Sequence, residues 1–127
     1  ISESSISFFL SLIVLSYLLP VHLLILIIYL MIFHIHHHHD ENTCPANSPE
    51  AVGATFGSVL PALSEYGVTV IGAGVYPPGH DFFFVVETDS YDDLVEGLRP
   101  ILAAGSARIQ PVGDLQAQVA KRMAESN

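Results

Sequence analysis

Met31-Ile32-Phe33-His34-Ile35-His36-His37-His38-His39-Asp40 is the stretch on which the reading of the fold turns. Successive side chains of an extended strand point to opposite faces. Phe33 and Ile35 therefore share one face, suited to the layer beneath helices, while His34, His36 and His38 share the other. Ile32 to His39 is expected as the first strand, and Asp40 to Asn47 as the loop that follows it.

Upstream, from Ile6 to Phe33, the chain is almost wholly apolar, interrupted by serines, Tyr17, Pro20, His22 and Tyr29. That length suffices for a helix to cross a bilayer. No Lys or Arg occurs before Arg99, so neither the charge that orients a membrane span nor the basic start of a secretory signal is present. Two readings of residues 1–30 stand. One is a hydrophobic N-terminal helix, giving a single-pass membrane protein and a tethered interaction module. The other is upstream translation ahead of a cytoplasmic protein starting at Met31.

Downstream, Ser48-Pro49-Glu50 has the marks of a helix start: a capping hydroxyl, a proline at the first position and an acid facing the positive end of the helix dipole. The helix carries Val52, Phe56, Val59, Leu60 and Leu63 on one side, kinks at Pro61 and stops at Gly67. Val68 to Tyr76 and Asp81 to Glu87 read as strands of a hairpin around Pro77-Pro78-Gly79. Ser90 opens a second helix with Leu94, Leu98, Ile101 and Leu102, interrupted by Pro100. Ala107 to Val112 forms a fourth strand, and Asp114 caps a terminal helix with Leu115, Val119 and Met123 on one face.

The order strand, helix, strand, strand, helix, strand is the split βαβ pattern of an α+β, ferredoxin-like βαββαβ fold with a four-stranded antiparallel sheet. Residues 31–113 form this domain, and residues 114–127 form a C-terminal helix and tail. Over residues 31–113 the element order and caps resemble the dimeric α+β barrel superfamily, which includes muconolactone isomerases and small monooxygenases. The aromatic and Asn signatures of those monooxygenases have no counterpart here, so no catalytic residue is carried over. The resemblance implies a cofactor-independent isomerase or monooxygenase as the alternative function.

At 127 residues, with roughly 95 outside the apolar segment, there is room for one small domain. The net charge of −9 argues against binding a nucleic-acid backbone. A single cysteine rules out an internal disulfide. Gly72-Ala73-Gly74 lies within a strand instead of a strand-to-helix turn, so it does not read as a dinucleotide site. Helices on one side of the sheet leave its second face bare, and a homodimer through that face would cover it.

Imidazole, thiolate and carboxylate side chains bind transition metals. With right-handed crossovers, the end of the first strand, the Pro77-Pro78-Gly79 turn and the start of the third strand lie at one sheet edge. His34, His36, His38, His39, Asp40, Cys44, His80 and Asp81 are therefore the candidate ligands of a divalent transition metal, with zinc, nickel, copper and iron all open. A histidine acid/base is the competing use of the same residues.

Overall fold

The computed structural model describes residues 30–126; the apolar segment expected as an N-terminal helix lies outside them. Strand β1 (Met31–His38) is followed by a 3-10 turn (Pro45–Asn47) and helices α1 (Pro49–Ala54) and α2 (Phe56–Glu65). Strand β2 (Thr69–Tyr76) turns through Pro77–Gly79 into β3 (Asp81–Thr88). Helix α3 (Tyr91–Leu102), strand β4 (Ser106–Val112) and helix α4 (Leu115–Glu125) complete the order. The four strands form one sheet, β2-β3-β1-β4, with every neighbouring pair antiparallel. β1 and β2 thus run parallel on either side of β3.

Local chemistry sets the element boundaries. The Ser48 hydroxyl accepts from the Ala51 N–H at 3.2 Å, the Ser90 hydroxyl from Asp93 at 3.2 Å and the Asp114 carboxylate from Ala117 at 2.7 Å. Each satisfies a donor that the first helical turn leaves bare. The single helix expected from Ser48 to Gly67 is instead two, broken at Thr55. The Thr55 hydroxyl donates to the Ala51 carbonyl at 2.7 Å, competing with the backbone, and Thr55 leaves helical geometry at φ −105°, ψ −82°. Pro61 sits within α2, as Pro100 sits within α3.

Phe33 and Ile35 on β1 and Phe84 and Val86 on β3 are buried against Val59 and Leu63 of α2 and Leu94, Leu98 and Ile101 of α3. A Cβ on Gly97 would stand 3.0 Å from the Leu63 Cα, so glycine is what lets α3 lie against α2. The same face of β1 continues into His37, which is fully buried. Its Nε2–H donates to the Ile101 carbonyl at 2.8 Å, tying β1 to the last turn of α3. Ile32, His34, His36 and His38 line the opposite, open face with Val85, Phe83 and Asp81 of β3.

Burial, with smaller contributions from neighbouring histidines, lowers the His37 pKa below 6.5 despite its bond to Ile101. Burial also lowers that of His39, with His80 adding to the effect. A histidine held neutral in the fold but free to charge when unfolded gives stability that is complete above its unfolded pKa and lost as pH falls below it. Hydrogen bonds hold the Asp40 and Asp81 carboxyls below their ordinary 3.8 and that of Glu96 below 4.5, so these groups act only at lower pH. Metal-free protein is therefore expected to lose melting temperature already between about pH 6.5 and 5. His37→Gln should flatten that slope, as thermal melts across the range would show.

Candidate metal centre

His39 follows directly on β1, and its odd position in the alternation turns it to the helix-covered side, where it is 4% exposed. Its backbone N–H donates to the His80 carbonyl at 3.2 Å, extending the contact of β1 with β3 one residue past the His38–Asp81 pair. His80 is the one non-glycine residue with positive φ among those described, at φ 56° and ψ 39°. This left-handed conformation is uncommon outside glycine and asparagine. It ends the Pro77–Gly79 turn and leaves the His80 ring edge-on to His39, with centroids 5.1 Å apart.

Cys44 comes from the loop between β1 and α1. Asp40 folds that loop: its Oδ1 accepts from the N–H groups of Asn42 at 2.9 Å and Thr43 at 3.0 Å and from the Thr43 hydroxyl at 3.2 Å. These bonds hold the Asp40 carboxyl below its ordinary pKa. The carboxylate is thereby committed to the loop, and Cys44 is carried back toward the strand ends.

One ligand atom each from His39, Cys44 and His80 lies within 4.8 Å of the other two. Zinc bonds of about 2.0–2.3 Å hold tetrahedral ligand atoms roughly 3.3–3.8 Å apart, so small side-chain rotations close the set. His39 Nδ1 is buried without a hydrogen-bond partner. Such an atom is uncommon in a folded interior; His37 Nδ1, one pleat away, is orphaned in the same way, but of the two rings only that of His39 belongs to the cluster. The lowered pKa keeps the His39 imidazole neutral at neutral pH, the form that ligates.

All three residues line a cavity of about 420 Å³, whose remaining walls include Val52, Phe56, Val75 and Phe82. The Phe56 and Phe82 rings pack at 4.5 Å and each lies within 6 Å of the His39 ring. One end of the cavity therefore carries nitrogen and sulfur ligands, while the rest is hydrocarbon.

The remaining candidates stand apart from this set. Asp81 Oδ1 accepts from His36 Nε2 at 2.8 Å and His38 Nδ1 at 2.9 Å on the open face of the sheet. Hydrogen bonds from His36 and then His38 hold the Asp81 carboxyl below its ordinary pKa. His36 also stacks on Phe83, with centroids 4.9 Å apart and planes 9° from parallel. His34 stacks more loosely on the same ring at 6.4 Å. His37, which the sequence reading left out of the ligand set, lies one pleat from His39 with ring centroids 5.6 Å apart. The same two-residue alternation that buries Phe33 and Ile35 was the signal for it.

No protein-family model and no curated protein matches the sequence. Among solved structures, an unknown protein from Galdieria sulphuraria aligns at 14% identity with a TM-score of 0.47. The alignment covers 68% of this chain and 47% of that one, so the chain spans about half the length of that structure. No helix among the described residues is long and apolar enough to cross a membrane.

Proposed function

We propose that this chain binds a divalent transition metal through His39, Cys44 and His80. The observation that carries the reading is the convergence of three ligand atoms within 4.8 Å, one of them on a buried imidazole whose Nδ1 has no other partner. Two imidazoles and a thiolate suit zinc in a set of three protein ligands with one position open, the arrangement of catalytic zinc sites. Cobalt would take the same place as a spectroscopic substitute.

The element order and sheet order further support a ferredoxin-like fold of the dimeric α+β barrel kind. We place a second copy of the chain over the open sheet face. Phe83 is 38% exposed there and Tyr76 55% exposed, and Leu115, Val119 and Met123 line one exposed face of α4. A monomer seldom leaves so much apolar surface to water. In such a dimer His36, oriented by Asp81, would face the enclosed space. The 2.8 Å hydrogen bond from His36 to Asp81 is the observation that favours the second reading, a histidine acid/base of an isomerase-type enzyme.

Equilibrium dialysis of the full, untagged chain against zinc, with the metal counted by elemental analysis, tests the first reading. One zinc per protomer is expected in the native protein and in a His36→Ala, His38→Ala double variant, and well below one in His39→Ala. Loss of zinc from the double variant with retention in His39→Ala would move the metal to the open face and overturn the assignment.

A further inference from the structure

The charge of the proposed centre does not balance with protein groups alone. A divalent cation, one thiolate and two neutral imidazoles leave one positive charge. No acidic side chain lines the cavity. Asp40 and Asp81, next in sequence to His39 and His80, are engaged elsewhere, Asp40 within its own loop and Asp81 with His36 and His38 on the other face, and Glu41 is exposed and outside the cavity lining. An uncompensated charge among Val52, Phe56 and Phe82 is costly. A fourth ligand that brings a single negative charge would neutralise the centre.

The space around that position narrows the choice. A cavity of about 420 Å³ falls within the range of small-molecule sites and far exceeds what one hydroxide fills. Its hydrocarbon walls favour an apolar body, and the tilted Phe56–Phe82 pair offers an aromatic face and edge for an aromatic one. Resting on the metal reading above, we infer that the centre takes a small aromatic monoanion of the arylcarboxylate class, its carboxylate on the metal's open position and its ring against the wall formed by Phe56, Phe82 and Val75. The acid enters as its anion and leaves unchanged, so no redox partner is needed.

Benzoate is the probe, with acetate keeping the head without the ring and benzamide keeping the ring without the charge. The full chain is loaded with cobalt(II), and its visible bands are followed as each probe is added. Benzoate is expected to shift the bands at a concentration at least tenfold below that needed for acetate or benzamide. Val75→Trp, at a half-exposed position on the cavity wall, should remove the advantage of benzoate over acetate while the cobalt bands show the centre still formed. Bands that ignore benzoate, or that respond equally to benzoate and acetate, overturn the inference and leave the metal centre standing. Absence of tetrahedral cobalt bands overturns the centre and the inference with it.

Discussion

Gly105→Ala is expected to destabilise the domain by about 3 kcal/mol, a large share of the stability of a protein this size. Gly105 sits between α3 and β4, where the chain passes against the end of β1. A Cβ there would collide with the His38 carbonyl oxygen and stand 2.9 Å from His37 Nε2. Backbone cannot yield as the tip of a long side chain can, so β1 and the turn after α3 must separate. That separation also strains the His37 bond to the Ile101 carbonyl, worth roughly 1 kcal/mol and more when its loss strands a buried donor. Gly53→Ala is the matched control, since nothing lies within 4 Å of its would-be Cβ in α1. That change should stabilise by about 0.5–1 kcal/mol. Denaturant melts of both variants read the contrast, and equal stabilities would contradict the packing described for β1 and α3.

Zinc at a hundred times its dissociation constant is expected to stabilise the native chain by about 2.7 kcal/mol, because metal bound only to the folded state adds its binding free energy to folding. For a domain of this size that is a rise of roughly 10–20 °C in melting temperature. The effect should vanish in Cys44→Ala and His80→Ala. Both residues belong to connecting segments outside the buried core, so their loss should change the metal-free melting temperature little. His39→Ala is different in kind. It removes a buried ring packed on Phe56 and Phe82 and lowers the metal-free stability as well. Scanning calorimetry with and without zinc separates the two effects. A zinc-dependent rise that survives Cys44→Ala would contradict thiolate coordination.

Much of the fold was legible because several local signals agreed. Ser48, Ser90 and Asp114 each cap a helix where a hydroxyl or carboxylate precedes an apolar period. The alternation through Phe33 and Ile35 set the buried face of β1, which His37 extends. The same topology brought the end of β1 beside the Pro77–Gly79 turn, so the meeting of His39 and His80 across forty residues could be anticipated. The break at Thr55 could not, since it depends on a hydroxyl choosing a backbone carbonyl over solvent. Nor could the division of the candidate ligands. His38 and His39 are neighbours in sequence, yet the pleat sends one to the open face with Asp81 and the other to the cavity with Cys44. The return of Cys44 rests on Asp40 folding its own loop, and a carboxylate that reads as a ligand serves as a turn former.

X-ray absorption at the zinc edge of the loaded full chain addresses the central claim most directly. The account predicts one sulfur scatterer at about 2.3 Å and imidazole nitrogens at about 2.0–2.1 Å, with the sulfur shell absent from Cys44→Ala. A native spectrum with nitrogen and oxygen neighbours alone would contradict it, placing the metal away from Cys44.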